Sequence, residues 1–375
     1  MAPRSSRGRA KRRPVEPADL YRLVVPAVPR CSPDGARMVF VRTHVERPAR
    51  TVRALWMAST APDGPPPVRF TAGPRDTQPC WSPAGDRIAF VRTPAPEETG
   101  GPQVWIIPAD GGEASVLTEL PEGTIRDLEW SPDGTRLACC FRATGAERTK
   151  AAAKARKDEK ASDPPFATDD LWYRLDGDGY FAGDRFVLLV IDAATGAHRA
   201  TWTKDTLGDL TFGWSPDGRS LVVATNPHRR ALVKHETAKL VVVDAAKGTA
   251  RDLAGVPAGP KSRPRWSPDG RRIAYAGRRH EPGEPWGEDD LYSTENVGLF
   301  VVDAQGGGAT DLLADTDECL MAVALSDTSE ATFAPWFEWT PKGDRLVFRL
   351  GCDGETHLAS VAANGRGERW RPCRP

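Results

Sequence analysis

Long apolar runs and an excess of one charge are both missing from this sequence of 375 residues. No run approaches the roughly 18 apolar residues that a membrane-spanning helix needs. The formal net charge is zero, with 51 basic and 51 acidic residues, so the chain offers no charge excess to a nucleic acid. No apolar segment follows the basic residues at its start, as a secretory signal would require. We therefore expect no membrane and no nucleic-acid partner.

Cysteine and histidine are scarce and are scattered along the chain. The seven cysteines form no CxxC pair and no metal-binding spacing. An odd number of cysteines without a disulfide framework is typical of a reducing compartment and predicts a cytoplasmic protein. The six histidines occur singly, without an HExxH motif. We therefore predict no metal site.

The motifs of the common catalytic and nucleotide-binding sites are also absent. The sequence has no G-x-S-x-G nucleophile elbow, since Gly218-Arg219-Ser220 is followed by Leu221 and Val222. It has no P-loop and no dinucleotide-binding fingerprint, so we predict no cofactor. No catalytic residue can be named from these patterns, and we expect no enzymatic activity from this chain alone.

A short phrase is present in six copies, spaced by about 50 residues or more. The copies are RCSPDGARMVFV (30–41), CWSPAGDRIAFV (80–91), EWSPDGTRLACC (129–140), GWSPDGRSLVVA (213–224), RWSPDGRRIAYA (265–276) and EWTPKGDRLVFR (338–349). Each is a proline- and glycine-containing turn followed by a β-rich run that is apolar on both faces. A second phrase after each copy, such as KLVVVDAAKGTARDL (239–253), has the pattern of a β-hairpin. Together the two phrases supply four strands, so the sequence predicts an all-β propeller of about six four-stranded blades.

Proline presets the backbone of the repeated turn, aspartate bonds to nearby backbone, and glycine tolerates the left-handed conformation. The predicted turn residues are Pro33, Asp34, Gly35, Pro83, Gly85, Pro132, Asp133, Gly134, Pro216, Asp217, Gly218, Pro268, Asp269, Gly270, Pro341 and Gly343. A tryptophan precedes the turn in five copies, and Cys31 replaces it in the first. Because the tryptophan recurs in nearly every blade, we interpret it as blade-to-blade packing rather than as a ligand platform.

The repeats divide the chain into a basic tail and one propeller. Residues 1–15 are predicted to be a disordered tail, and 16–375 to be the propeller. The blade phrases are 30–71, 80–118, 129–202 with an insertion at 142–182, 213–253, 265–313 with an insertion at 278–297, and 338–370.

The insertions are where a binding surface is expected, since added length in a repeat maps to loops on one face. Residues 147–162 favour a solvated helix or a mobile lid. Asp176 and Asp178 superficially suggest a calcium loop, but the glycine and glutamate of an EF-hand are missing, so a turn is favoured. Acidic and aromatic residues of the insertions are candidate contacts at the mouth of the pore, against the alternative of plain solvated loops. These candidates are Glu288, Asp289, Asp290, Tyr173 and Arg174.

Four segments together resemble the N-terminal propeller of the prolyl oligopeptidase family, in its acylaminoacyl-peptidase branch. They are DLYRLVVPAVPRCSPDGARMVFVRT (19–43), the WSPDG repeats, YRLDGDGYFAGDR (173–185) and FEWTPKGDRLVF (337–348). The repeats alone are also similar to those of TolB-type propellers. In the peptidase family the propeller caps an α/β-hydrolase domain that carries a Ser-Asp-His triad, and it usually has seven blades.

The resemblance implies a gating module without its enzyme. The sequence up to Pro375 contains six blade phrases and no hydrolase domain, so the ring is either a six-bladed one or a truncated seven-bladed one. The first hypothesis is a non-catalytic propeller that gates substrate, with a peptide or a separate α/β-hydrolase chain as its partner. The alternative is a stand-alone, TolB-like cytoplasmic interaction module.

Overall fold

The structure is a computed structural model that describes most of the chain. The described residues are 13–165, 167–168, 173–175, 179–180, 184–204, 210–278, 296–316, 319–321, 334–352, 355–365 and 371–372. Residues 1–12 of the predicted tail and Asp176 and Asp178 therefore lie outside the description.

Six four-stranded antiparallel sheets form the blades, which confirms the predicted all-β propeller. Blade 1 holds β1 (Val24–Cys31), β2 (Arg37–Glu46), β3 (Arg50–Ser59) and β4 (Val68–Arg69), and blade 2 holds β5 (Asp76–Trp81), β6 (Arg87–Arg92), β7 (Gln103–Pro108) and β8 (Ser115–Val116). Blade 3 holds β9 (Gly123–Trp130), β10 (Arg136–Ala143), β13 (Val187–Asp192) and β14 (His198–Trp202), and blade 4 holds β15 (Thr211–Trp214), β16 (Ser220–Thr225), β17 (Lys239–Asp244) and β18 (Ala250–Asp252). Blade 5 holds β19 (Lys261–Trp266), β20 (Arg272–Arg278), β21 (Val297–Asp303) and β22 (Thr310–Asp311), and blade 6 holds β23 (Phe337–Trp339), β24 (Arg345–Cys352), β25 (Glu355–Ala362) and β26 (Arg371–Pro372).

Each blade is built from one continuous stretch of chain, with neighbouring strands in sequence order. Within the described residues no strand from the start of the chain is added to blade 6. Blades 1 and 6 are therefore not joined by a shared sheet.

The long insertion in blade 3 contains helix α1 (Lys150–Glu159) and a small hairpin of β11 (Arg174–Leu175) and β12 (Gly179–Tyr180). Thr149 caps the helix, because its side chain accepts a hydrogen bond from the backbone N–H of Ala152. No residue of α1 is buried, so the predicted solvated helix is present.

The hydrophobic core lies between blades rather than at one centre. Five clusters of buried apolar side chains join blades 1 and 2, 2 and 3, 3 and 4, 4 and 5, and 5 and 6. The central strand β16 is buried at Leu221 through Thr225, on both faces, because it is sandwiched between two neighbouring sheets. The apolar runs of the repeated phrase therefore supply both walls of each contact between blades.

Candidate functional site

The SPDG turn is held by a serine–aspartate pair. In blade 3 the Ser131 hydroxyl donates to the Asp133 carboxylate at 2.6 Å, and Ser131 Oγ accepts from the backbone N–H of Arg136 at 3.0 Å. Gly134 completes the turn at φ +68°, a conformation that favours glycine. The same serine–aspartate bond recurs in blades 1, 4 and 5. The turn residues predicted from the sequence all lie in these turns.

Blades 2 and 6 use a different aspartate for the same bond. Ala84 and Lys342 stand where the other turns have aspartate, and the residue after the glycine takes over. The Ser82 hydroxyl donates to Asp86 at 2.6 Å, and the Thr340 hydroxyl donates to Asp344 at 2.8 Å. Sequence reasoning missed these two residues, although PAGDR and PKGDR both place an acid one step later.

Consecutive blades meet at seams where the turn of one blade packs on the turn of the next. A Cβ added to Gly85 would lie 3.5 Å from Cδ of Pro33, and one added to Gly343 would lie 3.3 Å from Cδ of Pro268. The glycines of blades 3, 4 and 5 approach the preceding proline in the same way. Gly35 of blade 1 differs, because nothing lies within 4 Å of its Cβ position.

In three of the five blades that have it, the tryptophan before the turn bonds backward across the seam, whereas the indole N–H of Trp214 in blade 4 has no acceptor among the described residues. The indole N–H of Trp81 donates to the Arg30 carbonyl at 2.9 Å, that of Trp130 to Cys80 at 3.1 Å, and that of Trp339 to Arg265 at 3.1 Å. These tryptophans therefore fasten blade to blade, as the packing interpretation predicted.

An arginine of the preceding blade covers the same indole ring. Its guanidinium carbon lies 5.1–5.3 Å from the ring centroid in the pairs Arg37–Trp81, Arg87–Trp130, Arg136–Trp214 and Arg272–Trp339. These distances are within the range of a cation–π interaction. Three of these arginines also donate across the seam to a backbone carbonyl: Arg37 to Ala109, Arg136 to Gly218 and Arg272 to Gly343.

The contact is directional: the earlier blade supplies arginine and proline, and the later blade supplies tryptophan and glycine. Ser220 replaces the arginine in blade 4, and the indole N–H of Trp266 has no acceptor among the described residues. Blade 4 is instead tied to blade 5 by Arg251, which donates to the Ala304 carbonyl at 2.6 Å.

The seam between blades 6 and 1 lacks these contacts in the described part of the chain. Cys31 is exposed where the other blades have tryptophan. Arg345, at the position of the seam arginines, donates to Ser360 of its own blade at 2.9 Å (Oγ) and 3.2 Å (carbonyl). None of the five apolar clusters joins these two blades.

The burial of residues along the strands also shows that blades 6 and 1 are packed less closely than the other neighbouring blades. The inner strand of blade 1, β1, has no buried residue, whereas the inner strand of blade 2, β5, has four. In blade 6, Leu346, Phe348 and Leu350 are buried, and the alternate residues Val347 and Arg349 are only half-buried. The described residues therefore cover blades 1 and 6 on one face each, while they cover blades 2 to 5 on both.

The innermost strands line the ring axis and carry a set of charged side chains there. Arg265 of β19 and Glu129 of β9 form an ion pair at 2.6 Å that reaches past the intervening blade 4. Arg263 pairs with Glu338 of β23 at 2.7 Å. Gly213 of β15 makes room, because a Cβ there would lie 3.1 Å from Arg265 Nη1 and would overlap the Pro264 carbonyl oxygen.

Bulges in the inner strands orient these residues. The pairing register shifts in blades 1, 2, 3 and 5, and a non-glycine residue lies at left-handed φ in each. These residues are Val28, Gln78, Asp127 and Arg263, with φ between +50° and +54°. A bulge re-aims neighbouring side chains, and left-handed backbone at a non-glycine residue is often found at functional sites.

The charged side chains that the inner strands carry at the ring axis, here called the channel cluster, have shifted pKa values. Burial raises the pKa of the Glu129 carboxyl despite the nearby Arg265 and Arg263 guanidinium groups, and burial likewise raises the pKa of Asp127. Burial lowers the pKa of Arg263 to about 10, and a nearby Arg265 contributes to that decrease. These shifts accompany a close packing of like and unlike charges, since Arg263 and Arg265 are neighbours and each is paired with a glutamate.

Sequence reasoning missed this channel cluster, although a signal was present. The residue directly before the repeated tryptophan reads Arg, Cys, Glu, Gly, Arg, Glu around the six copies, counting Cys31 as the first tryptophan position. A position that carries both positive and negative residues beside a repeated tryptophan is a candidate for lining the channel.

The predicted pore-mouth residues are only partly described. Tyr173 and Arg174 are exposed at the start of the small β11–β12 hairpin. Glu288, Asp289 and Asp290 lie outside the described residues. A role for these five residues stays a prediction.

The described part of the chain contains no metal-ligating cluster and no membrane-spanning helix. No group of three or more His, Cys, Asp or Glu side chains is arranged to hold a metal ion there. No helix among those residues is long and apolar enough to span a membrane.

Comparison with known proteins places the fold. No family model matches the chain. An acylaminoacyl peptidase from Pyrococcus horikoshii superposes with a TM-score of 0.62 at 17% identity, covering 94% of this chain and 46% of that one. The chain has the fold of an acylaminoacyl-peptidase propeller. The β-propeller domain of the trilobed protease from Pyrococcus furiosus, described as having an open velcro topology, superposes with a TM-score of 0.58 at 14% identity, covering 93% and 82%.

Sequence comparison finds a peptidase relative. The uncharacterized peptidase YuxL of Bacillus subtilis (strain 168) is 31% identical over 211 residues, which are 56% of this chain and 30% of that protein. The chain thus spans less than half the length of the peptidases it matches. The predicted resemblance to the propellers of acylaminoacyl peptidases is confirmed. A putative TolB from Agrobacterium tumefaciens superposes with a TM-score of 0.45 at 16% identity, covering 76% of this chain and 80% of that one.

Proposed function

We propose that this chain is a non-catalytic propeller that gates peptide access to a serine peptidase unit of the acylaminoacyl-peptidase type. The observation that carries the proposal is the superposition of 94% of the chain on less than half of such a peptidase. The relative found by sequence is also named a peptidase.

The channel supplies the means of selection. The Arg265–Glu129 and Arg263–Glu338 pairs join blades 3, 5 and 6 and place charge and bulk at the axis. A flexible peptide can exchange its own charges and backbone groups with these pairs. We therefore expect the propeller to admit flexible peptides and to exclude folded proteins.

Peptide binding to the purified chain tests the channel. We expect a fluorescein-labelled octapeptide to raise its anisotropy with the chain, and labelled lysozyme to show no change. The double variant Glu129→Ala/Arg265→Ala should shift the peptide Kd by at least about threefold, since paired charges each contribute roughly 1 kcal/mol or more. The matched control is Arg219→Ala, an exposed turn residue of blade 4. An octapeptide that does not bind contradicts the proposal.

Catalysis is assigned to a unit other than this propeller. The sequence has no nucleophile elbow. We expect the purified chain to remain unlabelled by a fluorophosphonate probe that reacts with activated serines. Stoichiometric labelling of the native but not the denatured chain would overturn this assignment.

A second candidate function, a stand-alone interaction module, is favoured by the uncovered faces of blades 1 and 6. The two functions differ at the channel, because an interaction module has no need to bind peptides there. An unchanged peptide Kd in the Glu129/Arg265 double variant, together with a partner bound at the seam between blades 6 and 1, would favour the interaction module.

We assign the chain to a reducing compartment, as in the cytoplasm. Cys80, Cys139 and Cys140 are buried and outside any disulfide, and burial raises the pKa of Cys139 to about 12. Thiols in this state are unreactive packing groups, so the fold gains nothing from an oxidising environment. Identical thermal melting with and without dithiothreitol is expected, and a lower melting temperature in dithiothreitol would contradict it.

A further inference from the structure

Two members of the channel cluster remain outside its ion pairs. The two pairs use two arginines and two glutamates, which leaves the guanidinium of Arg30 in β1 and the carboxylate of Asp127 in β9. Arg30 stands directly before the position of the repeated tryptophan, as Glu129 and Arg265 do in their own strands. Asp127 stands at the bulge position that Arg263 occupies in β19. Both groups therefore belong to the same axial ring as the paired charges.

Neither of these two groups is satisfied by the described part of the chain. The Arg30 guanidinium donates only to the carbonyl of the adjacent Pro29, at 3.1 Å, and the Asp127 carboxylate forms no hydrogen bond or ion pair there. Both residues are exposed, so a ligand in the channel can reach them. Enclosure by the surrounding blades raises the pKa of Asp127, and nearby arginines, including Arg30, offset this only in part. A cation supplied from outside would stabilise the carboxylate, and an anion would match the guanidinium.

The inner strand of the blade between them is neutral at the corresponding positions. In β5, Gln78 stands at the bulge position and Cys80 directly before the tryptophan, where blade 3 has Asp127 and Glu129. The Gln78 amide is fastened to the Ile125 carbonyl by a hydrogen bond of 2.8 Å from Nε2. The free cation and the free anion are therefore separated by an uncharged stretch of the channel wall.

This arrangement favours one molecule with two opposite charges over a simple ion. A ligand with a single charge would satisfy one group and leave the other without a partner. A peptide with free ends carries a carboxylate, an ammonium and an uncharged backbone between them, in the same order as the channel wall offers their partners.

We propose that the channel binds short peptides whose two ends are both free, with the carboxylate at Arg30 and the ammonium at Asp127. The backbone of the peptide passes the neutral inner strand of blade 2. The direction is fixed, because a reversed peptide would bring like charges together. The inference rests on the proposed function, since it takes the channel as the path of the peptide and adds the class of peptide that is held there.

Oligoalanines of two to five residues test the site, because only their ends are charged. Isothermal titration calorimetry compares each length in three forms: with free ends, with an acetylated amino end and with an amidated carboxyl end. We expect at least one length with free ends to bind about tenfold more tightly than either capped form, since each cap removes a charge-assisted hydrogen bond. Free and capped forms that bind alike, or no binding at any length, overturn the inference.

Two variants assign the ends of the peptide. Asp127→Asn should remove the preference for a free amino end and keep that for a free carboxyl end, and Arg30→Gln should do the reverse. Asparagine tolerates the left-handed φ of +54° at position 127, so this variant retains the backbone. The matched controls are Asp63→Asn and Arg219→Gln, at exposed residues outside the inner strands, and both preferences should persist in them. A channel variant that weakens all three forms equally overturns the assignment of the ends.

The labelled octapeptide separates failure of this site from failure of the gate. If the octapeptide binds and the caps on the oligoalanines make no difference, the gating function stands and the site for free ends is refuted. If the oligoalanines show the expected preferences and the octapeptide does not bind, the site stands and the gating function is refuted.

Discussion

Arg272 and Arg345 occupy the same position in the repeated phrase, yet only Arg272 reaches a neighbouring blade. Arg272 lies 5.2 Å from the centroid of Trp339 and donates to two carbonyls of blade 6. Among the described residues, Arg345 bonds only within blade 6. The chemistry of the side chain is the same, so the neighbour decides what it contributes to stability.

We expect Arg272→Ala to lower the free energy of unfolding by about 2 kcal/mol, from the lost cation–π contact and the lost charged hydrogen bonds. Arg345→Ala is the matched control and should cost under about 1 kcal/mol. Urea unfolding followed by circular dichroism measures both. Equal losses would mean that the seam contact contributes nothing beyond local bonding.

The turn aspartates give the stability a dependence on pH. Burial raises the pKa of Asp133, but hydrogen bonds from Ser131 and Thr135 outweigh it and bring the pKa down to about 2. A pKa below the unfolded value of about 3.9 means that the ionised carboxylate stabilises the fold above that value. This contribution is lost as the pH falls through about 2.

Asp133→Asn should therefore be less stable than the parent at pH 7, with a difference that shrinks between about pH 4 and pH 2. Thermal melting of both proteins across this range measures the difference. Asp63→Asn, at an exposed position between β3 and β4, controls for the loss of a surface charge. A difference that stays constant to pH 2 would exclude ionisation of Asp133 as the cause.

At the scale of the elements, hairpins brace one blade against the next. Gly196 lies in the β13–β14 hairpin at φ +73°, and a Cβ there would overlap the carbonyl oxygen of Leu117 in blade 2. Gly111 lies in the β7–β8 hairpin at φ +96° with nothing within 4 Å of its Cβ position. The two glycines share a backbone requirement and differ in their surroundings.

Gly196→Ala should cost more than about 3 kcal/mol, because neither the φ value nor the neighbouring backbone can adapt cheaply. Gly111→Ala should cost only about 1 kcal/mol, from the φ value alone. Denaturant unfolding of the two variants side by side measures the contrast. Similar costs would show that the β13–β14 hairpin can move away from blade 2.

For the whole molecule, the important feature is that the described part of the chain covers the two terminal blades on one face only. β1 has no buried residue, whereas β16 is buried along most of its length. Regions with few buried contacts open more readily than sandwiched ones. The ring is therefore least stable at its two ends.

Hydrogen exchange measured by mass spectrometry should show this gradient. We expect the amides of β1 and β25 to exchange at least about tenfold faster than those of β6 and β16, whose blades are covered on both sides. Uniform protection of all six blades would mean that blades 6 and 1 close on each other in solution.

The repeated phrase was sufficient to predict the fold because each copy contains its own turn, strand and packing residue. Ser131, Pro132 and Gly134 form a local turn whose bonds span five residues, so the sequence alone predicts it. Trp130 was correctly interpreted as packing because a residue repeated in successive blades serves a contact repeated between them. In blade 2 the turn serine bonds to Asp86, which lies after the glycine, whereas in blade 3 it bonds to Asp133, which lies before the glycine. This difference was not foreseen, since an acid at either position can reach the turn serine.

The channel and the open seam required the tertiary structure. Glu129 and Arg265 are 136 residues apart and meet only because the ring curves and Gly213 leaves space between them. Cys31 was recognisable as atypical, yet its consequence depends on where blade 6 ends up. The sequence by itself determined six similar sheets, because turns and short β-rich runs depend only on nearby residues. Only the tertiary structure decided which faces stay uncovered, because that depends on how the curvature of all six blades adds up.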